Sequence, residues 1–227
     1  MSAEPSLEKS AYAGLSKHRI EALTDGIYAV AMTLLVIELK LPAHELVHSD
    51  QDLANALVNL IPKFTAWVIS FLVLSLFWLG HQRMFQNLRH VDGKLVALNM
   101  MQLGFASLMP FSSALSGEFG ARWISQIGYS INMSLLSISA ILVARYIHKH
   151  PELSIHAMSE GAYQAASFRI GGLIFISIVA VIISYHIPAA GNGAFMLMMV
   201  IMPISRRIEA HYNTQSRQVK ESNTLSV

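Results

Sequence analysis

Titratable side chains lie inside or beside apolar stretches in the first part of the chain, where a charge without a partner is costly. Glu21 and Asp25 precede the apolar residues 27–37, and His81 lies near the end of a second apolar stretch. Groups of this kind can relay protons through a membrane. One hypothesis is therefore a proton-coupled membrane transporter or a proton leak pathway that uses Asp25, Glu21 and His81. Transporters usually contain two related halves with broken helices, and we detect no such repeat in the sequence.

Catalysis and nucleic-acid binding are disfavoured by what the sequence lacks. It contains no cysteine, no Gly-x-Ser-x-Gly elbow and no pair of aspartates within one apolar segment. The net charge of +2 comes from basic clusters between apolar segments, which form no continuous patch for a nucleic acid. We therefore predict a protein that is not an enzyme, that holds no metal and that has no nucleic-acid partner.

The composition is that of an integral membrane protein. Hydrophobic residues make up 53% of the 227 residues, charged residues make up 13%, and the mean hydropathy is +0.46. Soluble domains carry about 25% charged residues. We predict an all-α membrane protein with six transmembrane helices per subunit, each near the ~20 residues that a bilayer requires. The six segments cover residues 15–41, 57–79, 95–115, 123–144, 168–187 and 189–204.

The first of these segments differs from the others. Its uninterrupted apolar part, residues 27–37 apart from Thr33, is shorter than a lipid-exposed helix requires. A cleaved signal peptide is disfavoured, because acidic residues precede this run and Leu41-Pro42-Ala43 is a poor cleavage site. We predict instead a helix that begins near Ser16 and is surrounded by other protein, which gives it a central position.

Lysine and arginine fall in alternate connections between the segments, and this alternation predicts the orientation. One side is rich in basic residues, whereas the other has only Lys40, Lys63 and Arg122. By the positive-inside rule both termini are cytoplasmic, in a multi-pass protein of the cell inner (plasma) membrane. The expected domains are a cytoplasmic N-terminal segment over residues 1–14, a six-helix transmembrane domain over residues 15–208 and a cytoplasmic polar tail over residues 209–227.

Helical periodicity gives the first helix two different faces. Val30, Leu34 and Ile37 lie along one line and form a continuous apolar stripe, while Asp25 lies on the opposite side. The stripe suits packing against another helix, and it equally suits the wall of a pore. Lipid, protein and a dewetting constriction accept the same side chains, so the pattern leaves both interpretations open.

Two blocks of the sequence resemble the transmembrane protein 175 family of potassium-selective channels. The resemblance extends over residues 19–118, about half of the chain. The first block is similar to the family signature Arg-x-x-x-Phe-Ser-Asp-Gly, and it reads Arg19-Ile-Glu-Ala-Leu-Thr-Asp25-Gly26. The second block begins with Phe77-Trp78-Leu-Gly-His81-Gln-Arg-Met-Phe85 and continues through Asp92 and Leu98-Asn99.

The resemblance implies a potassium-selective cation channel that is a homotetramer, of the single-repeat type found in prokaryotes. The first helix of each subunit would line a central pore, without the re-entrant selectivity-filter loop of ordinary potassium channels. By position, Val30, Leu34 and Ile37 would form the hydrophobic constriction, and Thr33 would form the selectivity layer. The partners implied are potassium ions, the lipid bilayer and further copies of the chain. No cofactor is implied, since potassium is only the permeant ion.

The resemblance also implies a structural polar network at the first helix. A carboxylate inside a membrane must be hydrogen-bonded or paired, and the second block brings Trp78, His81 and Asn99 close to Asp25. Arg19 is six residues from Asp25, too far for a helical ion pair, so it would contact a neighbouring helix. We expect these five residues to fix the position of the first helix rather than to bind the permeant ion.

Overall fold

The computed structural model describes residues 16–43, 47–187, 190–198, 201, 203–205, 207–212 and 214. Regular structure in these residues is helical, apart from one isolated β-bridge between Leu88 and Ser154. Short 3-10 helices cover Pro151–Leu153 and Gly191–Leu197, and the described residues from 198 onward are also helical. The named α-helices are α1 (Lys17–Ile37), α2 (Asp50–Asn59), α3 (Ile61–Gln86), α4 (Gly93–Ser107), α5 (Met109–Glu118), α6 (Trp123–Lys149) and α7 (Glu160–His186).

Five helical stretches are long and apolar enough to cross a membrane, namely α1, α3, α4 together with α5, α6 and α7. They overlap the first five segments predicted from the sequence. The sixth predicted segment, residues 189–204, includes positions outside the described residues, so the sixth span stays a prediction. The predicted segment 1–14 lies wholly outside them. Of the predicted tail, residues 209–212 and 214 are described, and they are helical.

Local sequence signals place several of the helix boundaries. Asp92 caps α4, because its carboxylate accepts a hydrogen bond of 2.8 Å from the backbone N–H of Leu95. Ser159 caps α7 in the same way, by accepting from the N–H of Ala162 at 3.2 Å. Pro110 is near the start of α5 and has no N–H to donate to a continuous helix. The third membrane-crossing stretch is therefore divided into α4 and α5 at this point.

The described subunit is built around α6, which has the largest buried share of the five apolar helices. Its Tyr129, Met133 and Leu136 are fully buried among side chains of α1, α3, α4 and α7. By contrast, α1 packs against α3, α4 and α5 on one side only. Within the described subunit α1 therefore lies at the edge of the helical bundle, and the central position expected for it stays a prediction.

The two ends of the helical bundle can be distinguished by their contacts. At one end, Lys17 Nζ donates to the backbone oxygen of Leu88 at 2.8 Å, and Leu88 pairs with Ser154. The start of α1, the end of α3 and the α6–α7 connection therefore meet at the end that is rich in basic residues. At the other end, Lys63 forms an ion pair with Glu118. This arrangement agrees with the alternation of basic clusters, while the orientation in a membrane stays a prediction.

Candidate functional site

Asp25 is fastened to α3 by two neutral donors. Trp78 Nε1 donates to Asp25 Oδ1 at 2.8 Å, and the Gln82 side-chain amide donates to the same oxygen. Trp78 and Gln82 are one helical turn apart, so both point from the same face of α3. In these contacts the carboxylate accepts hydrogen bonds from neutral groups and has no cationic partner. Such hydrogen bonds can stabilise a carboxylate among apolar helices.

A second set of polar contacts joins α1 to α3 and α4. His81 Nε2 lies 2.9 Å from Asn99 Oδ1, and Asn99 Nδ2 donates to Thr24 Oγ1 at 3.0 Å. One turn further along, Gln102 Nε2 donates to the Tyr28 hydroxyl at 3.0 Å. All five of these residues are buried. Thr24 and Tyr28, one turn apart on α1, therefore bond to neighbouring turns of α4, and His81 connects α3 to the same group.

The predicted network is divided in the structure. Asp25 contacts Trp78, and His81 contacts Asn99, as two adjacent hydrogen-bonded groups. Arg19 is exposed near the start of α1, and the contacts of the described residues do not connect it to either group. Its predicted role in the network stays a prediction.

Glu21 interacts with residues of its own helix rather than with Asp25 or His81. Its carboxylate lies 3.5 Å from Lys17 Nζ and 3.4 Å from His18 Nδ1. A proton relay through Glu21, Asp25 and His81 would therefore need groups that bridge these separate positions.

The opposite face of α1 is apolar and lacks cover within the described subunit. Val30, Leu34 and Ile37 expose 56%, 42% and 59% of their surface, whereas Tyr28 and Leu35 on the other face expose at most 1%. Leu23 continues this face toward the start of the helix and is also exposed. The predicted apolar stripe is thus a surface of the subunit.

Thr33 lies on the same uncovered surface. Its Oγ1 donates a hydrogen bond of 2.9 Å to the backbone oxygen of Val30, one turn earlier. This bond uses the hydroxyl hydrogen and leaves the oxygen lone pairs able to accept a donor or to meet a cation. Thr33 is therefore the hydroxyl-bearing position of an otherwise apolar surface over residues 27–37.

Sequence reasoning missed four members of the polar contacts. Gln82 follows Trp78 by four residues, and helical spacing alone places it on the same face. Thr24, Tyr28 and Gln102 carry side chains that are common in ordinary helix packing, and only the fold pairs them with α3 and α4. Helical spacing is enough to predict the contact of Gln82. The contacts of the other three residues depend on how the helices are placed relative to one another.

The connection between α1 and α2 includes a five-residue sequence that matches a zinc-binding pattern, His44-Glu45-Leu46-Val47-His48. The pattern binds zinc when a helix brings both histidines onto one face. Val47 and His48 lie outside any helix, and His44 lies outside the described residues. No group of three or more metal-binding side chains is found in the described part of the chain, so we assign no metal site here.

The sequence and the fold both match known channels. A family described as "Endosomal/lysosomal potassium channel TMEM175" matches residues 19–110. A potassium channel of Chamaesiphon minutus is 30% identical over 144 residues, which are 63% of this chain and 70% of that protein. The endosomal/lysosomal proton channel TMEM175 of Bos taurus is 28% identical over 199 residues, which are 86% of this chain and 40% of the bovine protein.

The fold agrees with a crystal structure of a lysosomal potassium-selective channel TMEM175 homolog from Chamaesiphon minutus. The TM-score is 0.68 at 25% identity, over 83% of this chain and 97% of the other. Both sequence blocks that carry the resemblance lie within the matched region of residues 19–110. The chain therefore belongs to the TMEM175 family, which is a family of ion channels and not of enzymes.

Proposed function

We propose that the chain is one subunit of a potassium-selective cation channel, in which four copies of α1 surround a central pore. The observation that carries this proposal is the contrast between the two faces of α1. One face is held by hydrogen bonds to α3 and α4, and the other presents Val30, Leu34 and Ile37 without cover. The relatives named as potassium channels support the choice of ion.

An enclosed axis explains the sequence of α1 better than contact with lipid does. The helix as a whole is long and apolar enough to cross a membrane, but its uninterrupted apolar run is limited to residues 27–37 apart from Thr33, which is shorter than the ~20 residues that span the hydrocarbon. Four copies that face one another would remove the whole surface from lipid. The proposal gives each subunit six spans, with cytoplasmic termini, in the cell inner membrane.

The uncovered surface divides into two kinds of layer in the proposed pore. Val30, Leu34 and Ile37 form apolar rings, which exclude water columns without coordinating an ion. Thr33 supplies a ring of hydroxyl oxygens, which can replace part of the hydration shell of an ion. The proposed pore thus combines a hydrophobic constriction with one selectivity layer.

Ion flux into liposomes tests this function directly. The purified protein would be reconstituted with opposed potassium and sodium gradients, and the reversal potential would be measured. A channel of the proposed kind gives a reversal potential near that of potassium, and the potential follows the potassium gradient when it is inverted. A potential that follows only the sodium gradient would overturn the proposal.

A pH gradient in the same liposomes tests proton permeation, because the bovine relative is named as a proton channel. A proton leak pathway through Asp25, Glu21 and His81 predicts a potential that follows pH at equal potassium concentrations. A coupled transporter predicts potassium flux that stops without its driving ion. Potassium flux without a pH gradient would reject the coupled transporter.

Cysteine substitutions test which face of α1 lines the pore. Val30→Cys, Leu34→Cys and Ile37→Cys should each form crosslinks between subunits or react with thiol reagents, because the chain has no cysteine of its own. Met32→Cys is the matched control, since Met32 lies on the face that packs against the subunit core. Reaction at Met32 with silence at the other three positions would show that the assigned face is wrong.

A polar residue at the start of the constriction should raise the current. We expect Val30→Asn to increase total cation current severalfold, because the amide side chain wets a ring that otherwise excludes water. Val30→Ile, which keeps the ring apolar and makes it larger, should lower the current. Single-channel or macroscopic currents in planar bilayers measure both variants. Equal currents for Val30→Asn and the unmodified protein would place the constriction elsewhere.

A further inference from the structure

A cavity of about 470 Å³ lies between α3 and α7 at the basic end of the subunit, with α6 as its back wall. Its volume is within the range of about 300–1,000 Å³ that is typical of ligand sites. The described residues that line it belong to α3 and the residue after it, to α4, α6 and α7, and to the segments that flank α7. None of them belongs to α1. The cavity is therefore separate from the proposed pore.

Small residues on three helices create this space. Gly80 on α3, Ala140 and Ala144 on α6, and Ala162 and Ala166 on α7 all line the cavity. A Cβ atom added at Gly80 would meet no heavy atom within 4 Å. Larger side chains at these positions would fill the gap between α3 and α7, so the local sequence keeps the cavity open.

The lining of the cavity combines basic and apolar side chains. Arg83 on α3 and Arg169 on α7 line it, and Glu209 is its one acidic lining residue in the described part of the chain. Arg169 also donates to Ser205 Oγ at 3.4 Å. Its other walls include apolar side chains of α3, α6 and α7, namely Leu76, Phe77, Ile147, Ile170 and Leu173.

The innermost wall is polar and suits water. His81 and Gln102 line the cavity and expose only 1% of their surface. Gln102 Oε1 has no hydrogen-bond partner among the described residues. A water molecule at this wall would satisfy that oxygen, and an apolar ligand would end before reaching it.

We propose that this cavity binds an anionic phospholipid of the cytoplasmic leaflet. The phosphate lies near Arg83 and Arg169, and one acyl chain lies along Leu76, Phe77 and Leu173. Guanidinium groups bind phosphate by paired hydrogen bonds, and basic pockets between transmembrane helices on the cytoplasmic side favour anionic headgroups. The leaflet follows from the orientation in the proposed function, and the apolar wall distinguishes a lipid from a free anion.

Binding of phosphatidylglycerol to the purified full-length protein tests the site, with phosphatidylcholine as the neutral reference lipid. Titrations followed by native mass spectrometry would give the affinity for each lipid. Arg83→Gln and Arg169→Gln should each weaken phosphatidylglycerol binding about fivefold, which corresponds to about 1 kcal/mol per basic residue. They should weaken phosphatidylcholine binding less, because the choline cation offsets the charge of its phosphate. Arg145→Gln removes an exposed charge at the same end but outside the cavity lining, and it should have no effect.

Two glycine substitutions distinguish lipid binding in the cavity from lipid binding elsewhere on the protein surface. Gly80→Leu should lower phosphatidylglycerol binding at least fivefold, because the new side chain enters the cavity. Gly171→Leu is the matched control, since its Cβ also meets no heavy atom within 4 Å and Gly171 does not line the cavity. Circular dichroism of each variant would show that it is folded before binding is measured.

Equal phosphatidylglycerol binding by the unmodified protein, the two arginine variants and Gly80→Leu would overturn the site. Inorganic phosphate that displaces phosphatidylglycerol at an equal concentration would show that the arginines bind a free anion. That result would also overturn the lipid site. The readout is lipid occupancy rather than ion flux. A failure of the lipid site would therefore leave the proposed channel function standing. A failure of the channel function would likewise leave the measured lipid binding standing.

Discussion

Asp25→Ala is expected to destabilise the assembled protein by about 3 kcal/mol, because it removes the charged acceptor of two hydrogen bonds at a half-buried position between α1 and α3. Trp78 Nε1 and the Gln82 amide would both lose Asp25 Oδ1 as their partner. The link between α1 and α3 would weaken at the same time. Thermal unfolding and size-exclusion chromatography in detergent would measure the loss of stability and of the assembled form.

Two controls make the result specific to this carboxylate. Asp25→Asn keeps an oxygen that can accept from Trp78, so it should lose about half as much stability. Asp50→Ala removes an exposed carboxylate from α2 and should have little effect. A well-assembled Asp25→Ala protein with an altered preference between potassium and sodium would contradict the structural role and would place Asp25 in the ion pathway.

Thr33→Val is expected to lower the preference for potassium over sodium about tenfold while current persists. Valine has nearly the shape of threonine, so the change removes the hydroxyl oxygen and little else. A loss of about 1.4 kcal/mol in differential interaction corresponds to one factor of ten, which is plain in a reversal potential. Bi-ionic reversal potentials in planar bilayers measure the ratio.

Thr33→Ser is the matched control for selectivity, because serine keeps the hydroxyl that bonds to the Val30 backbone oxygen. It should retain most of the potassium preference. If Thr33→Val conducts with an unchanged potassium-to-sodium ratio, discrimination arises outside the first helix. The proposed constriction at Val30, Leu34 and Ile37 would survive that result, since it concerns the size of the current.

The membrane spans were the most predictable part of the fold, because apolar composition extends over whole helices. The fourth segment was predicted to begin at Trp123, where α6 begins, and it extends to Lys149 rather than residue 144. Polar side chains in the last turns of a spanning helix lie beyond the apolar core of the bilayer. Hydropathy therefore gives the centre of such a helix better than its end.

The helix α2 was not predicted, although its start has a recognisable signal. Most of α2 lies between the first two predicted spans, where hydropathy gives no sign of a helix. Ser49 and Asp52 form a reciprocal cap, in which Ser49 Oγ accepts from the Asp52 N–H at 3.2 Å and donates to Asp52 Oδ2 at 2.8 Å. A serine followed three residues later by an acidic residue is typical of a helix start. The break at Leu108 likewise follows from Pro110.

The candidate site was predictable only in part, for a physical reason. The residues Asp25, Trp78, His81 and Asn99 came from a family resemblance, and the structure pairs them as two separate groups. Which polar side chain meets which depends on the rotation and height of each helix. A single sequence contains neither quantity, so the pairing of Thr24 with Asn99 and of Tyr28 with Gln102 could not be derived from it.

The hydrogen bonds at Thr24, Asp25 and Tyr28 restrict how α1 can move. Twisting α1 alone about its own axis would break the bonds to α3 and α4 together, whereas tilting the three helices as one rigid body would keep them. In the proposed channel, opening would therefore be a collective displacement of this unit. Motions of that kind occur over about microseconds to milliseconds, so we expect discrete open and closed dwell times rather than rapid flicker of single side chains.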